Sequence, residues 1–166
     1  MILIKTPKFF RFKKDKGIKS RYLITAEIKF DAAHRLSDYK GKCERIHGHT
    51  YRVLITVESS KLNDWGAVLD FGDLKKLLKT YVDDKYDHKL ILKSGNIKNE
   101  VIGKALQHNW IVWMNGNPTA ENMARDIYKD LVPTFNVDKF KEVKLIEVTV
   151  YETTTNKATY AETENK

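Results

Sequence analysis

The clearest periodicity in the chain is an alternation of apolar and polar residues in two segments. In residues 22–34 the even positions are mostly apolar, and in residues 47–58 the odd positions are the apolar ones. A period of two predicts strands that bury one face. A polar stretch, residues 35–46, lies between them and is long enough for a functional loop joining two antiparallel strands.

The period changes to that of a helix after residue 70. Apolar residues recur at helical spacing in residues 71–82 and again after residue 119, where Pro133 follows the end of the second helix. Residues 143–152 return to strand alternation, and residues 158–161 predict a short final strand.

The segment 93–117 carries no clear period. We predict an irregular insertion there, with a short helix near 101–106 and a strand near 110–114. The core order of strand, strand, helix, helix, strand, strand predicts an α+β fold. In that fold an antiparallel sheet of about four strands packs two helices on one face.

Length and composition favour one domain, residues 22–166, preceded by a basic extension. The chain has 166 residues, 42% hydrophobic, and a net charge of +8, of which +7 lies in residues 1–21. We interpret that extension as solvated, or as an arm that binds a phosphorylated ligand. No apolar run suits a membrane span or a signal peptide, and the single cysteine excludes an internal disulfide, so we expect a cytoplasmic protein.

Three histidines are predicted to meet at one corner of the sheet. His47 and His49 share the apolar face of the second strand, and His34 ends the first strand with the parity of its apolar residues. An antiparallel pair would bring the three imidazoles together. Three imidazoles with a fourth position open are typical of a catalytic zinc site, so we expect zinc; the alternative is a hydrogen-bonded, inert group.

Other residues could carry chemistry near that corner. Cys43 could be a base, a nucleophile or a fourth zinc ligand. Glu44 could complete a set of histidine and carboxylate ligands of the kind that binds iron, so an iron site remains an alternative. Asp87 and His88 could form a carboxylate–imidazole pair that transfers protons, or they could be ordinary surface residues. Glu152 ends the inward face of a strand, where it could meet solvent or anchor an amidine-like ligand.

Six segments together resemble the 6-pyruvoyltetrahydropterin synthase / 6-carboxytetrahydropterin synthase family. They occur in family order between about residues 22 and 160, and they are FDAAHRL (30–36), CERIHGHTY (43–51), GAVLDFGDLKK (66–76), YDHKLIL (86–92), PTAEN (118–122) and VYETTTNKATY (150–160).

The resemblance implies a role for each matched position. It makes the three histidines zinc ligands and Cys43 the catalytic thiol. Asp87 and His88 would relay protons, Glu152 would bind the aminopyrimidinone edge of a pterin, and Thr119 would lie near the ring.

The family also implies a fold, an assembly and a reaction. Its tunnelling fold forms trimers whose sheets close a barrel, two trimers stack into a homo-hexamer, and active sites lie between subunits. The expected substrate is 7,8-dihydroneopterin triphosphate. The expected product is 6-carboxytetrahydropterin, with release of acetaldehyde and triphosphate, as in queuosine-type biosynthesis. Apart from the resemblance, we hypothesise that the basic extension helps to hold the triphosphate.

Alternatives to this reaction remain open. Cys43 lies four residues before His47, as in the 6-carboxytetrahydropterin branch, but Glu44 resembles a branch that cleaves dihydroneopterin to 6-hydroxymethyldihydropterin. Formation of 6-pyruvoyltetrahydropterin is a third possibility. A zinc-stabilised, basic nucleic-acid-binding module is a fourth, which we do not favour because it leaves Asp87, His88 and Glu152 without a role.

Overall fold

The computed structural model describes residues 20–106, 108–137 and 140–163, so the basic extension lies outside the described residues apart from its last two positions. The strands of the described part are β1 (Tyr22–His34), β2 (His47–Ser59), β3 (Lys89–Lys93), β4 (Ile111–Met114), β5 (Lys144–Tyr151) and β6 (Lys157–Ala161). Its α-helices are α1 (Phe71–Lys85), α2 (Ile97–Ala105) and α3 (Ala120–Leu131).

The strands form one mixed sheet in the order β4-β3-β1-β2-β5-β6. The antiparallel core β1-β2-β5-β6 is the predicted one, and it makes the molecule α+β as expected. The prediction of a sheet of about four strands with only two helices was incomplete. β3 and β4 extend the sheet in parallel, and α2 is a third helix.

Strand β4 and helix α2 belong to the part of the chain without a clear period, and β3 ends where that part begins. β3 reads KLILK, a short apolar run without alternation, because Leu92 on one face and Ile91 on the other are both fully buried. Parallel strands covered on both sides lose the alternation that identifies a half-buried strand. The predicted strand near 110–114 is confirmed as β4, and the predicted short helix is α2, which begins four residues earlier than expected.

The main core lies between the antiparallel sheet and helices α1 and α3. The inward residues of β1 and β2 include Phe30 and Tyr51, whose rings stack with centroids 5.1 Å apart. Each helix presents one buried stripe, which comprises Leu74, Leu78 and Val82 in α1 and Met123, Ile127 and Leu131 in α3. Asp70 caps α1 by accepting a hydrogen bond from the Gly72 amide, 2.6 Å away.

Helix α2 covers the opposite face of the sheet at β3 and β4. Val112 and Met114 belong to the main core, so Ile111 and Trp113 point to the other side of β4. Gly103 of α2 lies over these two side chains, where a Cβ atom would be 2.6 Å from Trp113 Cζ2. The absence of a side chain on Gly103 lets α2 approach the sheet.

The described part of the chain contains no helix that is both long enough and apolar enough to cross a membrane.

We predict that Gly103→Val destabilises the protein by about 2 kcal/mol, because the new side chain must displace the Trp113 ring. Thermal and urea unfolding would measure the loss. Lys104→Val is the matched control, since Lys104 is exposed on the same helix, and it should cost only the small helix-propensity difference. Equal effects of the two substitutions would contradict the close packing of α2.

Candidate active site

The register of β1 and β2 brings the three predicted histidines together. His34 lies directly opposite His47, and Ala32 lies opposite His49. All three histidine side chains therefore point to the face that carries the core, at the end where β1 stops and β2 starts. His34 is fully buried, while His47 and His49 are half-buried.

Backbone carbonyl groups fix the orientation of two of the rings. His34 Nδ1 lies 2.8 Å from the Pro118 carbonyl oxygen, and His47 Nδ1 lies 2.8 Å from that of Arg45. A carbonyl oxygen only accepts, so each Nδ1 carries the proton and each Nε2 has a free lone pair. The two Nε2 atoms lie 3.1 Å apart. Their rings are therefore already oriented as metal-binding histidines must be.

The third histidine completes a set that fits zinc. His49 Nε2 is buried and has no hydrogen-bond partner within the described part of the chain, and one ring nitrogen of each histidine lies within 4.8 Å of the others. Burial lowers the pKa of both His34 and His49, which favours the neutral imidazole that binds metals. Three imidazole nitrogen donors around one point suit a zinc ion with an open position.

Tyr51 forms the floor of the histidine cluster, a position that the sequence analysis treated only as core. Its ring centroid lies 5.9 Å from that of His34 and 5.5 Å from that of His49, and its buried hydroxyl has no partner among the described residues. Burial, followed by the nearby charges of Glu152 and Cys43, raises the pKa of Tyr51 far above its ordinary value. The side chain that packs beneath the histidine cluster is therefore the uncharged phenol of Tyr51.

Glu152 lies beside the histidine cluster, as its strand parity predicts. It directly follows β5, and its Oε1 atom is 3.6 Å from His34 Nε2. Its side chain is only 29% exposed. The carboxylate is thus available to a ligand that enters next to the three histidines.

Thr119 has a structural task in the chain itself. Its hydroxyl caps α3 by accepting a hydrogen bond from the Asn122 amide, 3.3 Å away. The preceding carbonyl, that of Pro118, is the one bound by His34. The start of α3 is therefore tied to the histidine cluster, with Thr119 adjacent.

Cys43 and Glu44 share a short 3₁₀ turn, Lys42–Glu44, in the loop between β1 and β2. The Cys43 carbonyl oxygen accepts a hydrogen bond of 2.8 Å from the Leu36 amide, and the thiol is half-buried. The Glu44 carboxylate forms ion pairs with Lys98 at 3.2 Å and with Arg35 at 3.8 Å. It is engaged with α2 and does not belong to the metal-binding group.

Asp87 and His88 form the predicted pair, but on the other face of the sheet. His88 Nδ1 donates to Asp87 Oδ2 at 2.8 Å, and this hydrogen bond raises the pKa of His88. The His88 amide donates to Asp31 O at 2.7 Å, and Asp31 Oδ1 accepts from Thr50. Because Asp31 and Thr50 alternate with the inward residues, they lie on the face opposite the three histidines.

The conformation of His88 shows how this pair is presented. Its φ of 57° lies in the left-handed region, which residues with a Cβ rarely adopt outside constrained sites. Its side chain is 79% exposed and lines a cavity of about 570 Å³ with Leu90, Leu106 and Trp110. Within one chain, the sheet separates the Asp87–His88 pair from the histidine cluster.

Comparisons with known proteins agree with this architecture. The family described as 6-pyruvoyl tetrahydropterin synthase matches residues 23–163. The chain belongs to this family. That confirms the resemblance seen in the sequence motifs.

Among curated relatives, 6-carboxy-5,6,7,8-tetrahydropterin synthase of Rickettsia typhi is 38% identical over 118 residues, which cover 69% of this chain and 83% of the relative. The enzyme of the same name from Haemophilus influenzae is 31% identical over 147 residues, covering 85% and 99%. These two relatives carry the name of the 6-carboxytetrahydropterin branch.

Solved structures share the fold. The 6-pyruvoyl tetrahydropterin synthase of Plasmodium falciparum superposes with a TM-score of 0.68 at 25% identity, covering 86% of this chain and 98% of the other. An uncharacterised protein of Wolinella succinogenes gives a TM-score of 0.71 at 21% identity, covering 87% and 99%. The tunnelling fold expected from the motifs is thus confirmed.

We predict that His49→Ala weakens zinc binding by more than about 100-fold, because loss of a ligand costs more than loss of an outer hydrogen-bond partner. His88→Ala is the matched control and should bind zinc with wild-type affinity, since His88 lies on the opposite face. Zinc content after dialysis and competition with a chromogenic chelator would measure both. Full zinc occupancy in His49→Ala would contradict the assignment of that ligand.

Proposed function

We propose that the protein is a zinc-dependent lyase that converts 7,8-dihydroneopterin triphosphate and one water molecule to 6-carboxytetrahydropterin, acetaldehyde and triphosphate. The observation that carries this proposal is the convergence of three histidines, two of them oriented by backbone carbonyl groups, next to Glu152. The names of the Rickettsia and Haemophilus relatives support the choice of product. The pathway that we propose for this reaction is queuosine-type 7-deazapurine biosynthesis.

The inward site would bind both ends of a pterin that carries a hydroxylated side chain. His34, His47 and His49 would hold the zinc ion, which would supply a Lewis acid that polarises the side-chain hydroxyl groups and acidifies the adjacent C–H bond. The Glu152 carboxylate faces the same point and can accept two hydrogen bonds from an amidine-like ring edge, which orients the ligand. Thr119 borders this region at the start of α3.

Cys43 is the proposed proton-transfer group on the same side of the sheet as the histidines. Its thiol lies close enough to Tyr51 for its charge to raise the pKa of that phenol, and Tyr51 packs against His34 and His49. A thiolate at this position can remove a proton from the substrate carbon.

Asp87 and His88 would serve the site of a second copy. The Asp87–His88 pair is exposed on the outward face. The hydrogen bond to Asp87 raises the pKa of His88, which keeps this imidazole protonated to higher pH and able to donate a proton. A neighbouring chain that docks here would receive the proton relay that its own fold holds on the wrong side. This arrangement supports an assembly with active sites between subunits.

The sheet itself also supports assembly. Among the described residues, β3 covers only Ala32–His34 of β1, so the earlier part of β1 has no neighbouring strand on that side, and the outer strands β4 and β6 each have one free edge. The outward face carries polar pairs such as Thr25–Thr56 at 3.0 Å and Arg52–Glu27 at 2.8 Å. A closed barrel of three sheets would remove the edges and leave this face lining a hydrated interior, and two barrels would give a homo-hexamer.

Mixing two inactive variants tests whether one site needs two chains. Cys43→Ala and His88→Ala should each lose at least about 100-fold in kcat, because each removes a proton-transfer group. Co-refolded one to one, they should recover about a quarter of wild-type activity, since random assembly pairs the intact groups in that fraction of sites. A mixture that stays as inactive as the two separate variants, although mass spectrometry shows that their subunits have exchanged, would contradict a shared site.

Product analysis tests the reaction itself. Zinc-loaded protein incubated with dihydroneopterin triphosphate should give 6-carboxytetrahydropterin and acetaldehyde, measured by liquid chromatography and mass spectrometry. Incubation with dihydroneopterin should give no 6-hydroxymethyldihydropterin, because the ion pairs with Arg35 and Lys98 engage the Glu44 carboxylate. Formation of the hydroxymethyl product, or of 6-pyruvoyltetrahydropterin, would overturn the assignment.

A further inference from the structure

A buried polar cluster lies between the β1–β2 loop and helix α2, outside the chemistry proposed above. It consists of Arg35, Ser37 and Asn99, with exposed fractions of 5%, 1% and 0%. A guanidinium group is rarely taken out of water unless its neighbours satisfy it. The question is what this cluster holds in place.

Asn99 is the centre of the cluster, and both the oxygen and the nitrogen of its side-chain amide form hydrogen bonds. Its Oδ1 atom accepts a hydrogen bond from the Arg35 guanidinium. Its Nδ2 atom donates to Ser37 Oγ at 2.9 Å and to the Lys93 carbonyl oxygen at 2.7 Å. Because these contacts fix the amide in one orientation, Asn99 presents its acceptor to Arg35 with little freedom.

Arg35 extends this arrangement to the turn that carries the cysteine. Its Nε–H group donates to the Glu44 carbonyl oxygen at 3.0 Å, and the next residue, Leu36, donates its amide to the Cys43 carbonyl oxygen at 2.8 Å. Arg35 also directly follows His34 in the chain. The same short segment therefore borders the histidine cluster and hydrogen-bonds to the carbonyl oxygens of Cys43 and of the next residue, Glu44.

We propose that Asn99 is a positioning residue for the Cys43 thiol, acting through Arg35. Helix α2 supplies the fixed acceptor, Arg35 links it to the 3₁₀ turn, and the turn holds Cys43 at a constant distance from His34. The proposal deepens the proposed function and rests on Cys43 being its proton-transfer group. A segment that the sequence presents as an insertion thus becomes part of the support of the active site.

The proposed link between Asn99 and the turn requires the planar guanidinium group of arginine at position 35. The guanidinium plane offers separate N–H groups to Asn99 and to the Glu44 carbonyl, whereas a lysine ammonium is a point donor on a flexible stem. Arg35→Lys keeps the charge and loses the defined bridge. Asn99→Leu removes the acceptor with little change in volume, and Asn99→Asp keeps an acceptor for Arg35.

The single cysteine gives a direct readout of the turn. Cys43 is the only thiol in the chain, so its rate of alkylation by iodoacetamide reports its local environment without any turnover. We expect Asn99→Leu and Arg35→Lys, each carrying zinc and kept well below its unfolding temperature, to alkylate at least fivefold faster than wild type, because a loosened turn exposes the half-buried thiol. We also expect kcat to fall about tenfold with KM little changed, as for a misplaced catalytic group.

Three controls separate positioning from general destabilisation. Asn99→Asp should alkylate at a rate within twofold of wild type, which is rescue by the conservative change. Ser37→Ala removes a contact of Asn99 but leaves Arg35 in place, so it should lower the unfolding temperature and leave the alkylation rate unchanged. Asn136→Leu, at an exposed asparagine, should change neither.

Wild-type alkylation rates in both Asn99→Leu and Arg35→Lys would overturn the proposal. If Asn99→Leu does not fold, Arg35→Lys alone decides it. An alkylation rate that follows the unfolding temperature across all variants, Ser37→Ala included, would assign the cluster a purely structural role. Failure of the proposed function would appear differently, as a wild-type protein that shows the expected alkylation pattern and turns over no pterin.

Discussion

The pairing register of β1 and β2 is the constraint on which the rest of the site depends. Placing His34 opposite His47 puts three imidazoles on one face, at the end of the core. A slip of one residue would turn the β2 histidines to the outward face and expose Tyr51, Val53 and Ile55 with them. The apolar residues that stabilise the sheet therefore also select the only register in which the metal site exists.

The sheet has a second consequence, because it divides the chemistry between its two faces. The histidine cluster and Glu152 lie inward, while the Asp87–His88 pair lies outward in a left-handed turn. In the proposed mechanism one chain alone is incomplete as a catalyst, and closure of a barrel would join the two halves. The same closure would satisfy the free edges of the sheet, so stability and catalysis would favour the same assembly.

Much of this arrangement is predictable from sequence because it follows from local periods. Parity alone puts His34, His47, His49 and Glu152 on the inward face, and the structure agrees. Parity does not identify β3, whose residues are buried on both faces. It also cannot place His88, whose position depends on one left-handed residue, nor join Arg35 to Asn99 across 64 positions of the chain. These features arise from tertiary contacts that no local pattern encodes.

The most direct test of the account is the ligand shell of zinc bound to the protein, measured by X-ray absorption at the zinc edge. An open catalytic site with Cys43 free predicts three nitrogen ligands at about 2.0–2.1 Å and one light oxygen or nitrogen neighbour, with no sulfur. A sulfur ligand at about 2.3 Å would mean that Cys43 closes a structural site. That result would contradict the proposed role of the thiol and the catalytic account that depends on it.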